Sequence, residues 1–153
     1  MAVDTPSAAV PTRDSHPGAR RWTLARLALA ITYLLGGVAH LVLAATSLEF
    51  YESFADVALL GAYTDLWGEF VVPNLAVLVP LVALFELALG VALLWRGPAV
   101  RLAHAGGAGF QAALVLSGPW GPVNAVLAGI HAVAARRAYP TTVAGRLRAW
   151  RTA

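Results

Sequence analysis

Four apolar stretches run through the chain, and three of them carry two polar side chains seven residues apart. Seven residues make about two turns of an α-helix, so both members of a pair lie on one helical face. Polar groups cost free energy in hydrocarbon, and such faces therefore turn toward one another and away from lipid. The pattern predicts a membrane-embedded helical bundle with a polar seam, formed by Tyr33 and His40, His104 and Gln111, and Asn124 and His131.

The composition also indicates a membrane protein. Hydrophobic residues make up 59% of the 153 residues, and the mean hydropathy is +0.68. Charged residues make up 12%, against about 25% in an average soluble domain. One helical span needs about 20 residues to cross roughly 30 Å of hydrocarbon. The length therefore suits a single domain of four spans with short connections.

The distribution of arginines predicts the topology. All 11 basic residues are arginines, and they flank the apolar stretches on the sides that the positive-inside rule assigns to the cytoplasm. The connection after the first stretch carries acidic residues and no arginine. We therefore predict an all-α membrane protein. It is a four-transmembrane-helix bundle with both termini cytoplasmic and an extracytoplasmic amphipathic segment between helices 1 and 2.

Three regions are predicted along the chain. Residues 1–21 form a disordered cytoplasmic tail, because this stretch is rich in proline and poor in apolar surface. Residues 22–137 form the four-helix transmembrane domain, and residues 138–153 form a basic cytoplasmic tail. In that tail, an apolar face between arginines predicts an amphipathic helix on anionic lipid. The predicted spans cover about 23–45, 71–95, 99–116 and 122–135.

The acidic connection, residues 47–70, is too long for a simple turn and is rich in aromatic residues. Phe50, Phe54 and Val57 fall on one face of an α-helix, which predicts an amphipathic helix on the outer membrane surface. Two interpretations stay open for this segment. It is either an aromatic anchor at the membrane interface or a lid over the mouth of the bundle.

Several kinds of chemistry are excluded by the sequence. The chain has no cysteine, so it offers no thiol to a disulfide, a metal or a cluster. It contains no phosphate-binding loop, no HExxH motif and no GxSxG motif. Its arginines flank membrane spans, and nucleic acid is therefore not an expected partner. A redox role would need a bound cofactor or the cysteines of another protein.

Three segments of the sequence resemble the DoxX-like family of four-span membrane proteins. They are RLALAITYLLGGVAHLV, FYESFADVALLGAY and PLVALFELALGVALLWRGPAVRLA. The resemblance covers about residues 22–136, and its matching positions are Arg26, His40, Glu86 and Gly90, with His40 where many relatives carry lysine. It implies a multi-pass protein of the cytoplasmic (plasma) membrane of a bacterium or archaeon. Members of the family are linked to thiosulfate:quinone oxidation and to thiol-redox complexes.

Glu86, His104 and His131 are the first candidates for a ligand or proton site. A carboxyl group and an imidazole can exchange protons near neutral pH, which suits a quinone site. The remaining ligand-binding or proton-relay candidates are Tyr33, His40, Gln111 and Asn124.

The same residues have other interpretations. His104 and His131 could be axial ligands of a b-type haem, although closely joined spans disfavour a porphyrin between them. Alternatively, Glu86 makes a neutral hydrogen bond between helices, the amides join helices, and His40 stands alone near the outer face. No other metal site is predicted.

The predicted function is that of a membrane subunit or accessory of a redox process, which binds quinone or a similar small apolar molecule. Its expected partners are membrane lipid and a protein of a redox complex. The alternative is a non-enzymatic membrane scaffold or lipid-binding protein with a structural seam. A transporter is disfavoured because the four spans show no internal repeat. The small residues of the third span permit a homodimer.

Overall fold

A computed structural model describes residues 17–152, and over this range the chain is helical. The six α-helices are α1 (Pro17–Thr46), α2 (Gly61–Leu66), α3 (Leu75–Leu94), α4 (Pro98–Ala113), α5 (Gly121–Ala135) and α6 (Val143–Arg151). Between α1 and α3 the chain also forms 3₁₀ and π turns, which cover Leu48–Val57, Trp67–Val71 and Val72–Asn74. The helices α1, α3, α4 and α5 lie over the four predicted apolar spans.

Two helical stretches are long and apolar enough to cross a membrane. They are Gly18–Thr46 and Gly61–Leu94, and the second contains both α2 and α3. The first helix begins at Pro17, inside the range 1–21 predicted as an N-terminal tail. The remainder of that predicted tail, residues 1–16, lies outside the described residues.

Glycines allow α1 and α3 to pack closely. A Cβ atom at Gly37 would lie 2.9 Å from the carbonyl oxygen of Ala83, and one at Gly90 would lie 3.0 Å from that of Ala30. The first distance is shorter than real Cβ contacts, and the second is tighter than nearly all of them. Close approach of small residues is a common way to pack helices in membranes. It brings side chains of α1 and α3 that lie beside these glycines into direct contact.

The outward faces of the four long helices are apolar. Large hydrophobic side chains remain exposed on each of them, as shown by Leu35 (65% exposed), Val77 (61%), Leu102 (71%) and Val126 (63%). Buried polar side chains lie inside the bundle instead, and they are Arg26, Glu86, His104, Gln111 and His131. A soluble protein of this size rarely exposes so many large apolar residues together.

The acidic connection packs across one end of the bundle. The backbone N–H of Leu59 donates to the carbonyl of Leu116 at 3.1 Å, which ties the connection to the turn between α4 and α5. Gly118 in that turn has a φ of 134° and lies against the backbone of Val57. A side chain would fit neither this backbone conformation nor the space. This end of the bundle is therefore closed by the connection.

The opposite end joins the start of α1 and the turn between α3 and α4 to the C-terminal part of the chain. The N–H of Gly97 donates to the carbonyl of Tyr139 at 2.7 Å. The predicted amphipathic helix is present as α6, and Thr142 caps it by accepting a hydrogen bond from the N–H of Gly145 at 3.0 Å. Val143 of α6 is buried, while Arg148 is exposed. The last helix thus lies against the bundle with its apolar face inward.

Candidate functional site

A chain of four buried polar side chains joins α1, α4 and α5. Gln111 Nε2 donates to Tyr33 Oη at 3.0 Å, and Tyr33 Oη lies 3.0 Å from His131 Nε2. The Nδ1 atoms of His131 and His104 are 2.9 Å apart. Tyr33, His104 and His131 are 3%, 1% and 0% exposed. We refer to Gln111, Tyr33, His131 and His104 as the buried polar chain.

The donors of this chain can be assigned in one direction. Tyr33 Oη accepts from Gln111, and its own hydrogen finds an acceptor in His131 Nε2. His131 then carries its hydrogen on Nδ1 and donates to His104 Nδ1, so the hydrogen of His104 lies on Nε2. With Gln111 Nε2 as the donor, the reverse direction would leave the hydroxyl hydrogen of Tyr33 without an acceptor among these four side chains. Tyr33, His131 and His104 therefore form an unbroken row of hydrogen bonds.

Gly107 makes room for the ring of His131. A Cβ atom at Gly107 would lie 2.7 Å from His131 Cε1. Gly107, one of the small residues of the third span, thus accommodates an imidazole. As a result, His104 and His131 meet between α4 and α5 with no direct access from the surface.

A second group of polar side chains surrounds Glu86. His40 Nε2 lies 3.7 Å from Glu86 Oε2, and His40 Nδ1 is hydrogen-bonded to Tyr51 Oη. Burial raises the pKa of Tyr51, and the nearby Glu86 raises it further. The phenol therefore stays protonated near neutral pH and donates to His40 Nδ1, which directs the Nε2 hydrogen toward Glu86. Gly36 permits this arrangement, because a Cβ atom there would collide with Glu86 Oε2.

The Glu86 group opens onto a cavity of about 330 Å³. The cavity has a largely apolar wall, made by Phe54, Trp67, Val71, Leu75, Leu78, Val79, Val82, Phe110, Leu114 and Trp120. Its polar lining consists of His40, Tyr51, Glu86, Gln111, Ser117 and Asn124. Such a mixture of apolar wall and few polar groups is typical of sites for small organic molecules.

Two acceptors on cavity-lining residues are buried without a hydrogen bond. Glu86 Oε2 and Gln111 Oε1 have no hydrogen-bond partner among the described residues. Buried polar atoms are nearly always satisfied, and each exception calls for a partner such as water or a ligand. Both atoms belong to residues that line the cavity. His104 Nε2 is similarly unsatisfied, but His104 does not line the cavity.

The acidic connection forms one wall of the cavity. Trp67 Nε1 donates to the carbonyl oxygen of Tyr51 at 2.7 Å, and the rings of Phe54 and Trp67 are 5.8 Å apart. The predicted face of Phe50, Phe54 and Val57 is wrong in detail, since this stretch is a 3₁₀ helix in which residues i and i+3 align. Tyr51 and Phe54 therefore turn inward, and Phe50 stays 48% exposed. The segment therefore contributes directly to the cavity wall.

The candidate residues predicted from sequence fall into two separate groups. Tyr33, His104 and His131 lie in the buried polar chain, whereas His40, Glu86 and Asn124 line the cavity; Gln111 belongs to both. The expected cluster of Glu86 with His104 and His131 is not formed at the cavity. His40 was predicted to stand alone, and this is wrong because it bonds Tyr51 and faces Glu86. Asn124 Nδ2 donates to the carbonyl of Leu114 at 3.0 Å.

Two positions of the DoxX-like resemblance, Arg26 and Gly90, lie outside both groups. Gly90 lies against the backbone of α1, and Arg26 is buried at the opposite end of the bundle.

The arrangement of His104 and His131 does not fit axial ligation of a haem. Bonds between a metal and imidazole are about 2 Å long, so two axial nitrogens on opposite sides of an iron would lie about 4 Å apart. The Nδ1 atoms of these residues are instead 2.9 Å apart and bonded to each other. Within residues 17–152, no group of three or more histidine, aspartate or glutamate side chains is placed to hold a metal ion.

Sequence reasoning did not assign the five aromatic residues of the cavity wall to a binding site; they are Tyr51, Phe54, Trp67, Phe110 and Trp120. The available signal was the i, i+3 spacing of Tyr51 and Phe54, which becomes meaningful only in a 3₁₀ helix. An α-helical reading of the same segment places different residues inward.

The chain has no match among protein-family models, curated proteins or solved structures. The resemblance to the DoxX-like family therefore stays a prediction from the three sequence segments. The function must be inferred from the cavity and its residues.

Proposed function

We propose that this chain is a multi-pass integral membrane protein of DoxX-like type that binds quinone or a similar small apolar molecule in the large cavity. It would act there as a membrane subunit or accessory of a redox process. The observation that carries the proposal is the pair of unsatisfied acceptors, Glu86 Oε2 and Gln111 Oε1, on residues lining a mainly apolar cavity.

The proposed membrane placement has four spanning helices, α1, α3, α4 and α5, and both termini in the cytoplasm. It is supported by the apolar, exposed outer faces of these helices and by arginines at the ends assigned to the cytoplasm. The acidic connection would then lie on the outer side. The compartment proposed is the cytoplasmic (plasma) membrane of a bacterium or archaeon. A homodimer would use the exposed small residues Ala105 and Gly109.

The chemistry of the cavity favours a flat ring that carries hydrogen-bond donors. Phe54, Phe110 and Trp120 offer aromatic surface for such a ring. The two unsatisfied atoms are acceptors, so they suit the hydroxyl groups of a quinol better than the carbonyl groups of a quinone. A volume of about 330 Å³ accommodates a head group, and the long isoprenoid tail of a quinone would extend into lipid.

Glu86 is the proposed proton acceptor of the site. A charged carboxylate is costly at this depth, and His40 is the nearest basic group, with 3.7 Å between Nε2 and Oε2. A hydroxyl group of the ligand would donate a hydrogen bond to the ionised carboxylate of Glu86. When the ligand is oxidised, its proton would move to that carboxylate and neutralise the costly charge. Because the chain has no cysteine, the electrons of a redox reaction would pass to a partner protein.

The buried polar chain supports the alternative function, a non-enzymatic scaffold or lipid-binding protein. Its side chains bond one another across three helices, and three of them, Tyr33, His131 and His104, do not line the cavity. Such hydrogen bonds join helices without any ligand. If the cavity takes up only lipid chains, the whole seam is structural.

The test is mass spectrometry and absorption spectroscopy of the protein purified gently from its native membrane. We expect a quinone or a molecule of similar size to be retained by the wild type and by Glu69→Gln, a matched control in which an exposed glutamate is neutralised. Glu86→Gln should lose most of the bound molecule while keeping the folded yield. Phospholipid alone in all three proteins would overturn the proposal and favour the scaffold.

A further inference from the structure

A second pocket lies at the opposite end of the bundle from the large cavity, where the start of α1 meets the segment before α6. It has a volume of about 120 Å³ and carries three arginines, Arg26, Arg137 and Arg146. Aromatic side chains also line it, namely Trp22 and Tyr139. No acidic side chain among the described residues lines this arginine pocket.

Arg26 is the central residue of the arginine pocket. It is only 5% exposed, and its Nη2 donates to the carbonyl oxygens of Trp95 and Thr141, both at 3.3 Å. Its guanidinium lies 5.1 Å from the centroid of the Tyr139 ring. Within residues 17–152 its Nε has no hydrogen-bond partner, and no carboxylate lies within ion-pair distance of it. A buried charge without an oppositely charged partner is costly, so a bound anion would stabilise this guanidinium group.

The other arginines are held beside Arg26 by their surroundings. Arg137 lies over the ring of Trp22, with Cζ 4.4 Å from the ring centroid. This cation–π contact holds the guanidinium of Arg137 against α1. Arg146 is on the first turn of α6, a helix fixed by the Thr142 cap. Three guanidinium groups therefore line one small pocket, and a guanidinium group is the side chain that best matches two oxygens of a phosphate.

We infer that the arginine pocket binds a phosphate group, carried either by an anionic phospholipid or by a free phosphate ion. The pocket has the size of a single small anion rather than of an organic ring. Tryptophan and tyrosine are enriched at the depth of the lipid head groups in membrane proteins. Trp22 and Tyr139 therefore suggest that the pocket lies at the same depth as the phosphate of a phospholipid. The site is separate from the large cavity and does not depend on what that cavity binds.

The test measures thermal unfolding of the full chain in detergent, followed by tryptophan fluorescence. The added probes are phosphatidylglycerol, a diacylglycerol with the same acyl chains but no phosphate, and inorganic phosphate. The pocket variant is Arg137→Gln with Arg146→Gln. Its matched control is Arg148→Gln with Arg151→Gln, which removes the same charge from exposed positions on α6.

We expect phosphatidylglycerol to raise the unfolding temperature of the wild type and of the control, and to bind the pocket variant about tenfold more weakly. The diacylglycerol should have little effect. If inorganic phosphate produces the same arginine-dependent stabilisation, the natural source is a free anion. If only the lipid does so, the source is a head group. Either result supports the site.

Two results would overturn the inference. The first is an equal loss of binding in the pocket and control variants, which would show a response to net charge alone. The second is equal stabilisation by the diacylglycerol, which would show that the phosphate is not recognised. Should the double variant fail to fold, Arg137→Lys keeps the charge and loses the planar two-oxygen contact, and its phosphatidylglycerol binding should still weaken severalfold.

Discussion

The large cavity and the buried polar chain use the same kinds of side chain in opposite ways. In the buried polar chain, the polar atoms of Tyr33 and His131 form hydrogen bonds with other side chains of the protein. At the cavity, Glu86 Oε2 and Gln111 Oε1 remain unsatisfied. The role of a polar side chain inside a helical bundle therefore cannot be inferred from its residue type alone. What separates a structural role from a binding role is whether its partners come from the protein.

The largest effect is expected from His131→Ala, which tests the structural role of the buried polar chain. The change removes a fully buried ring and leaves both Tyr33 and His104 without their partner. Each buried group left unsatisfied costs about 1–3 kcal/mol, so we expect a loss of about 3 kcal/mol or more in unfolding free energy. Denaturation in detergent measures it. Unchanged stability would contradict a structural role for the buried polar chain.

Tyr33→Phe tests the buried polar chain with a smaller change. It removes only the hydroxyl that accepts from Gln111 and donates to His131. We expect a destabilisation of about 1–2 kcal/mol, measured by thermal unfolding, with ligand affinity nearly unchanged. Because Gln111 also lines the cavity, a large loss of ligand binding in this variant would show that the two regions act as one site.

Glu86→Gln addresses the binding side of the comparison. It keeps the shape of the side chain and removes the carboxylate acceptor that faces His40. Ligand affinity should fall about tenfold, which corresponds to about 1.4 kcal/mol, while the unfolding temperature without ligand changes little. A titration with a short-chain quinol measures the affinity. The opposite pattern, lower stability and unchanged affinity, would place Glu86 with the structural residues.

The smallest effect is expected from Trp67→Phe in the acidic connection. This substitution keeps an aromatic ring near Phe54 but loses the hydrogen bond to the Tyr51 carbonyl. We expect a loss below about 1 kcal/mol and faster release of ligand, because the wall formed by the connection is held less firmly. Stopped-flow release measures the rate. Slower release would contradict the lid interpretation.

The fold was more predictable from the sequence than the site. The positions of α1, α3, α4 and α5 could be predicted from the apolar stretches and from the arginines that flank them. This was possible because the length of an apolar stretch can be read directly from the local sequence. The seven-residue spacing also correctly indicated that Tyr33, His104, Gln111 and His131 face inward. The separation of Glu86 from the two histidines was not predictable, since depth along a helix does not tell which neighbours a side chain meets.

The acidic connection shows a second limit. Its helical periodicity suggested Phe50 and Phe54 as one face, and the 3₁₀ conformation turned Tyr51 inward instead. Such tight helices are set by tertiary contacts more than by propensity. The hydrogen bond from Trp67 Nε1 to the Tyr51 carbonyl is one such contact, and it joins residues 16 positions apart. The partner that His40 finds in Tyr51 was hidden for the same reason.

The central claim is that the cavity binds a ligand through Glu86 while the buried polar chain only supports the fold. The most direct measurement is quenching of tryptophan fluorescence by a short-chain quinol, since Trp67 and Trp120 both line the cavity. We predict saturable quenching in the wild type and in Tyr33→Phe, with about tenfold weaker binding in Glu86→Gln. Equal quenching in Glu86→Gln and the wild type, or quenching that never saturates, would contradict the claim.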